Sequence, residues 1–373
     1  MQVSRTPNAP GSAPHGDRVG VAMIGAGSIA AYHLDGLAAA GGAALRVVAS
    51  RTGDNARRLA AHYGNTDWTD EWQAVLERRD VDAVIIATPD PTHERIALAA
   101  AAAGKHILLQ KPMAGDTAAC RRIAEAAERA GIDLQVSFMH RHFEEVQLAR
   151  TLLREDAIGV VHTVRVRNAT PGPHWGDWFF DAANVANGVV HQLGVHGIDL
   201  VSWLLGPIRD VSARMAIQQN TRTLQDGRTV NVGVPDTALA SYGFDCGALG
   251  THEMSMIEMQ GCDRFRIELY GELGTLWLRS ERGRLALWAP QRHGDQWWQP
   301  TLADVPLGWH HHACWLDGIT GRAARAHTAR DAIAGMQVVE AIAASARQAG
   351  AVVPVAGQAA PSDAAAPARK DTT

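Results

Sequence analysis

The sequence predicts an α/β protein in two parts. The first is a doubly wound parallel sheet of the Rossmann type, and the second is an α+β domain on an open, mainly antiparallel sheet. Three observations carry this. Up to Met139, short apolar runs alternate with helix-forming segments, the βαβα order of parallel sheets. Beyond it, strand-like stretches follow one another without helices between them. The first apolar run also opens straight into a glycine-marked turn and a helix, in the stretch VGVAMIGAGSIA from Val19 to Ala30. At 373 residues the chain exceeds one ordinary core, in keeping with two domains.

Taken in order, residues 1–17 are rich in Pro, Gly, Ser and Ala and include Arg5 but no apolar core, which reads as a disordered tail and not a signal peptide. A dinucleotide-binding domain is expected over 18–139. Its strands are Val19–Ile24, Leu45–Ser50, Ala83–Ala87, His106–Leu109 and Asp133–Phe138. Its helices are Ser28–Ala40, Asp54–Tyr63, Trp72–Arg79, Thr92–Ala103 and Thr117–Ala130, the last two stopped by Gly104 and Gly131. The loop Thr88-Pro89-Asp90-Pro91 interrupts pairing because proline cannot donate to a ladder.

A second, α+β domain is expected over 140–356. It opens with helix Glu144–Arg154, strand Val160–Asn168 and an aromatic loop from Pro171 to Phe180. A helix with a polar head at Val189–His196 runs on to Trp203. Strands follow at Val211–Ile217, Thr237–Phe244, Ala248–Ser255, Arg264–Tyr270, Gly274–Leu278 and Arg284–Trp288. Helices Trp309–Thr320 and Ala329–Arg347 close it, and 357–373 reads as a second disordered tail.

Composition bounds the function. Apolar content of 46% and charged content of 20% are those of a soluble globular protein, and a net charge of −4 gives no electrostatic case for nucleic acid or an anionic membrane. The longest alanine-rich run, Ile96–Ala103, is too short to span a bilayer. Cys120, Cys246, Cys262 and Cys314 lack C-x-x-C spacing, which fits a reducing cytoplasm better than a zinc ribbon or a disulfide framework.

The glycine motif has a specific physical use. Gly25 permits the tight turn out of the strand, Gly27 leaves the backbone open to a pyrophosphate, and Ala30 lets the helix sit close to the sheet. With Ser28 and Ile29, whose N–H groups start the helix, they form an anion-binding turn. The second strand ends in Ser50-Arg51, with no acidic residue for a ribose 2′-OH. That leans the cofactor towards NADP over NAD, because Ser50 and Arg51 can both bind a 2′-phosphate. Thr88, Pro89 and His93, at the end of the third expected strand, complete the cofactor side.

Three stretches could carry chemistry. Gln110-Lys111-Pro112 stands where ligands of open α/β sheets bind, and a desolvated lysine there can relay protons near neutrality. The plainer alternative is a surface lysine before a turn. In GVVHQLGVHGID, residues 188–199, Gln192 and His196 are spaced i, i+4 and share a helical face, with Asp199 near enough to orient the imidazole. His196 as a satisfied core histidine is the alternative. His310-His311-His312 cannot converge on a metal from a regular helix, so no metal is expected, and His312 is placed at the substrate cleft instead. The loop His174-Trp175-Gly176-Asp177-Trp178 has the composition of a sugar-binding wall.

Several motifs, in one order, resemble the glucose–fructose oxidoreductase, inositol dehydrogenase and rhizopine-catabolism (Gfo/Idh/MocA) family. They are GAGSIA at 25–30, ASRT at 49–52, ATPDPTH at 87–93, AGKHILLQKP at 103–112, WFFD at 178–181, LGVHGIDLVSWLLG at 193–206 and GELGTL at 271–276. The resemblance implies that Lys111 is the catalytic residue beside the nicotinamide and that His196 is its partner at the helix head. Gln110 stands where the family has glutamate, and Gln192 where it has an aspartate that touches substrate. The implied substrate contacts are Lys111, Arg141, Trp175, Gln192, His196 and His312. The implied reaction is hydride transfer between a nicotinamide dinucleotide and a secondary hydroxyl or ketone of a sugar or cyclic polyol, by a homo-oligomer, dimer or tetramer. The resemblance assigns substrate binding and self-association to the domain at 140–356. Two other classes stay open: an enzyme with retained dinucleotide that uses transient oxidation for elimination, hydrolysis or epimerisation, and a non-catalytic dinucleotide-binding protein.

Overall fold

A computed structural model of the chain describes residues 18–185, 187–259, 264–323 and 328–357. The expected tail 1–17, the second tail beyond Gly357 and Cys262 lie outside the described residues.

The first domain runs β1 (Val19–Ile24), α1 (Ala30–Ala40), β2 (Ala43–Ala49), α2 (Gly53–His62), β3 (Asp67–Thr69), α3 (Trp72–Leu76), β4 (Ala83–Ile86), α4 (His93–Ala102), β5 (His106–Gln110), α5 (Thr117–Ala130) and β6 (Leu134–Ser137). The strands form one parallel sheet in the order β3-β2-β1-β4-β5-β6, with the chain direction of a dinucleotide-binding fold. Every residue of β1 and β4 is buried, as continuous apolar runs must be when helices cover both faces. α5 is bounded as its sequence indicates: the Asp116 carboxylate accepts from Ala119 N at 2.7 Å, and Gly131 closes the helix in the left-handed region. Strand β3 was not expected. It has three residues, mostly exposed, and no apolar run to reveal it.

The second domain begins with α6 (Glu144–Arg154) and β7 (Val161–Ala169). A wide π-type turn over Val190–Gly194 then leads into α7 (Val195–Leu205). There follow β8 (Ile208–Ala216), the small hairpin β9 (Thr221–Thr223) and β10 (Thr229–Asn231), β11 (Thr237–Phe244), β12 (Leu249–Ser255), β13 (Phe265–Gly271), β14 (Thr275–Ser280) and β15 (Gly283–Trp288). The chain ends through α8 (Pro290–His293), β16 (Trp297–Trp298), α9 (Trp309–Ile319), α10 (Thr328–Arg347) and β17 (Val353–Pro354). Nine strands form one sheet, and β7 with β12 is its single parallel pair. In β11, Ala238, Ala240 and Tyr242 face the helices while Leu239 and Ser241 face outward, the alternation of a sheet covered on one side.

Helix α9 departs from the expected domain division. Trp315, Leu316 and Ile319 join the apolar cluster of Val19, Val21, Leu34 and Leu37, so this late helix packs on α1 of the Rossmann domain. α10 is tied across as well, Thr328 Oγ1 accepting from Val136 N of β6 at 2.8 Å.

Candidate active site

β1, β4, β5 and β6 run parallel, so their carboxyl ends share one edge, and the loops leaving that edge build the site. Gly25 has φ of 110°, and a Cβ there would stand 2.3 Å from the Ala87 carbonyl oxygen, so no other residue fits between β1 and β4. A Cβ on Gly27 would meet nothing within 4 Å, which leaves an open approach to the backbone. α1 starts with no side-chain cap and no acidic residue in its first turn, so its positive end is available to an anion. At the end of β2, Ser50 is half-buried with its N–H held by Thr69 O at 3.1 Å, and Arg51 is exposed. These residues fit the pyrophosphate and adenosine portions of a dinucleotide.

His93, expected on the cofactor side, is packed between two loops. It is fully buried between the β4 loop and the turn after β5, with Nδ1 2.9 Å from Pro112 O and Nε2 2.8 Å from Thr88 O, and the nitrogen that carries the hydrogen donates to its carbonyl. The Thr92 hydroxyl lies 2.6 Å from Thr88 Oγ1 and 2.7 Å from Pro89 O, and braces the same loop.

Lys111 leaves the end of β5 and donates from Nζ to the main-chain carbonyl of Gln192 at 2.7 Å. Burial draws its pKa down to about 8, with the Asp90 carboxylate opposing and Arg264 adding to the fall. Gln110, just before it, meets His33 Nε2 at 3.1 Å; His33 Nδ1 meets His312 Nε2 at 3.1 Å; and His312 Nδ1 lies 2.8 Å from Gly308 O. Burial pushes His33 down to about 3 and His312 to about 4, so both rings are neutral at pH 7. The Gly308 carbonyl can only accept, so His312 carries its proton on Nδ1 and accepts at Nε2 from His33. Gln110 presents its Oε1 to His33 Nε2, so with His33 Nδ1 donating to His312 the Gln110 amide must turn over to offer its Nε2 as the donor, an exchange a carboxylate at 110 could not make. His312, expected at the substrate cleft, is instead a fully buried strut in this chain.

The head of α7 supplies the facing wall. A Cβ on Gly197 would lie 2.3 Å from Asn168 Oδ1 and 2.7 Å from His252 Cε1, so glycine lets the helix press against β7 and β12. His196 stacks on His140, with ring centroids 4.2 Å apart, and His140 stacks on Phe265 at 4.5 Å. Both histidines are held well below their ordinary range by burial first. For His196 the next causes are His140, Lys111 and Arg264. The π-type turn changes the expected geometry, because an i→i+5 turn draws in His191 beside Gln192. The Gln192 amide Nε2 donates to Asp90 Oδ2, and His191 Nε2 stands 3.7 Å from the same oxygen.

Two other expectations are corrected. Asp199 does not orient His196. It is gripped by Arg141, whose Nε donates to Oδ2 at 2.8 Å and whose Nη2 donates to Oδ1. Arg141 Nη1 donates to Asp331 Oδ2 at 2.6 Å, so the guanidinium expected at the substrate is spent on a buried ion pair. Trp175 is 52% exposed on the Pro171–Phe180 loop, edge-on to His174 and Phe179 and beside Leu224, Gln225 and Asp226. No contact between it and Lys111 or His196 is seen among the described residues.

Asp90 and His140 were missed from sequence, and His191, which helical spacing sets on a different part of the surface from His196, is brought in by the π-type turn. The signal for the first two was available: each follows the carboxyl end of a parallel strand, the criterion that singled out Lys111. Among the described residues no group of three His, Cys, Asp or Glu side chains could hold a metal, and no helix is long and apolar enough to cross a membrane.

Residues 19–138 match the model of an oxidoreductase family with an NAD-binding Rossmann fold, and residues 146–277 match the GFO/IDH/MocA C-terminal domain. The chain is similar to inositol 2-dehydrogenase 2 of Saccharopolyspora erythraea, 32% identical over 69% of this chain and 72% of that one. It is 27% identical to levoglucosan dehydrogenase of Pseudarthrobacter phenanthrenivorans over 64% of this chain, which spans 65% of that relative's length. Among solved structures, GenD2 from gentamicin A biosynthesis in complex with NAD superposes with a TM-score of 0.75, at 28% identity over 95% of this chain and 99% of that one.

Proposed function

The chain belongs to the Gfo/Idh/MocA family of oxidoreductases, and from that premise we propose that it is a dehydrogenase of a sugar or cyclic polyol. The observation that carries this reading is Lys111, poised near pH 8 at the sheet edge that also holds the Gly25–Gly27 turn and facing a neutral His196. A nicotinamide dinucleotide, when bound, supplies the hydride acceptor. Gly25, Gly27, Ser28 and Ile29 hold its pyrophosphate, and Ser50 and Arg51 its adenosine ribose. Neutral Lys111 takes the proton of the substrate hydroxyl, with uncharged His196 as the second group able to accept it. Gln192 binds a neighbouring hydroxyl.

The test is a panel of myo-inositol, scyllo-inositol, levoglucosan and common aldoses, read as absorbance of the reduced nicotinamide with both NAD and NADP. Dinucleotide binding without an absorbance change on any member would leave the two other readings, transient oxidation on a retained dinucleotide and non-catalytic dinucleotide binding. With a substrate in hand, kcat/KM for oxidation should rise through about pH 8 and level off above it, because the acceptor must be unprotonated. In the reverse direction, where Lys111 gives the proton, the rate should fall through the same value. A profile flat across that range would remove Lys111 from proton transfer.

We further propose a preference for NADP, supported by the exposed Arg51 and half-buried Ser50 at the end of β2. Arg51→Ala should weaken NADP by roughly tenfold or more while leaving NAD within about threefold, since only NADP has a 2′-phosphate for the guanidinium to pair with. Equal Kd values for the two dinucleotides in the parent protein would overturn the preference. Self-association through the open face of the nine-stranded sheet is also proposed, supported by outward-facing Leu239 and Leu249, and sedimentation velocity tests it. Free thiols at Cys120, Cys246 and Cys314 support a cytoplasmic setting.

A further inference from the structure

This inference rests on the dehydrogenase reading and refines what Gln192 recognises. Asp90 lies in the turn after β4 and is only 6% exposed. Its Oδ2 accepts from Gln192 Nε2. A second buried polar atom, His191 Nε2, points at the same oxygen from 3.7 Å and has no hydrogen-bond partner of its own. An ionised carboxylate can only accept, whereas a primary amide has one donating and one accepting end. The contact therefore fixes the rotation of the Gln192 amide, with Nε2 towards Asp90 and Oε1 turned away. The main chain of the same residue is pinned separately, its carbonyl accepting from Lys111 Nζ at 2.7 Å. Gln192 is thus held at both ends by the first domain, in contact with the group that handles the reacting hydroxyl.

We infer that Asp90 is a specificity-determining positioning residue: by fixing the Gln192 amide it presents Oε1 as an obligate acceptor, so the site selects a ring with a hydroxyl donor beside the reacting carbon. A carbonyl, an ether or a bare methylene at that position leaves Oε1 unpaired. Such a mismatch costs more than a missing hydrogen bond, because a polar atom in a closed site gives up water without a replacement. An aspartate in this turn does what an asparagine could not, since an asparagine amide could donate as readily as accept and would let Gln192 turn over.

The charge of Asp90 has a second effect. Lys111 is faced by Asp90, which raises its pKa, and by Arg264, which lowers it; His191 is faced by Asp90, Lys111 and His93; His196 is faced by His140, Lys111 and Arg264. Removing the Asp90 charge should move the Lys111 limb of the pH–rate profile below about 8.

Two arms test the proposal. The first needs no substrate. Gln192→Glu sets a second carboxylate against Asp90 and should lower the urea midpoint. The double variant Asp90→Asn, Gln192→Glu, in which the new amide can donate to the new carboxylate, should recover most of that drop. A double variant no more stable than Gln192→Glu overturns the contact. The second arm compares a substrate from the panel, such as myo-inositol, with its monodeoxy analogue at the carbon beside the reacting one. The parent protein should disfavour the analogue by about 10- to 100-fold in kcat/KM, the value of one hydrogen bond to a fixed acceptor. Asp90→Asn should cut that ratio to within about threefold and shift the pH limb downward. Undiminished discrimination in Asp90→Asn overturns the proposal. If the parent oxidises no member of the panel, the dehydrogenase reading fails, and the first arm still decides whether Asp90 sets Gln192.

Discussion

Lys111→Met should lower kcat by about 10²–10⁴-fold, the usual range for removing a positioned proton-transfer group, with Kd for the dinucleotide within about threefold of the parent. Methionine keeps most of the apolar stem and of the volume between β5 and the head of α7. What it removes is the Nζ that donates to Gln192 O and titrates near pH 8. The variant should also lose the limb of the pH–rate profile near that value. A kcat within about threefold of the parent on the same substrate would move the chemistry elsewhere, with His196 the next group to examine.

Arg141→Met should destabilise the fold by about 3–5 kcal/mol, because it strands a buried carboxylate whose hydrogen bonds, among the described residues, come from Arg141. Arg141 and Asp199 have side chains 7% and 3% exposed, and the guanidinium also holds Asp331. Burial raises the Asp199 carboxyl to about 6 despite the arginine beside it. A carboxyl whose folded pKa lies above its unfolded value favours folding most below the unfolded pKa, and that contribution is lost as pH rises through the folded one. Without Arg141 the folded value should climb further, so the destabilisation should be larger at pH 8 than at pH 5. Urea unfolding at the two pH values measures both. A variant of parental stability with a raised KM would instead restore Arg141 to the substrate, as the family resemblance implied.

Much of the fold was legible because local chemistry settles it. Val19–Ile24 and Ala83–Ile86 are continuous apolar runs, which only a sheet covered on both faces needs. Asp116 and Gly131 mark both ends of α5 by capping alone. Where local signals are weak, the reading thinned. β3 has no apolar run, and the parallel pairing of β7 with β12 depends on how the chain returns after α7. α9 was placed by chain order in the second domain, but Trp315, Leu316 and Ile319 bury themselves against α1, and burial does not respect chain order.

The site divides in the same way. Residue order alone marked the dinucleotide turn at Gly25 and Gly27, because Gly25 takes a backbone conformation that favours glycine and Gly27 leaves the backbone open, and it marked Lys111, because the carboxyl end of a parallel strand is a fixed address. It also identified Gln192 and His196 as residues of a helix head. Which side chain faces which was settled by the packed fold. Asp199 went to Arg141, because a buried guanidinium demands a carboxylate and the fold brings one within reach. The carboxylate of the site came from Asp90, 102 positions before the glutamine it holds. Hydrogen-bond partners and pKa values are set by distance and desolvation. Those are properties of packing, and for residues this far apart in the chain no spacing rule encodes them.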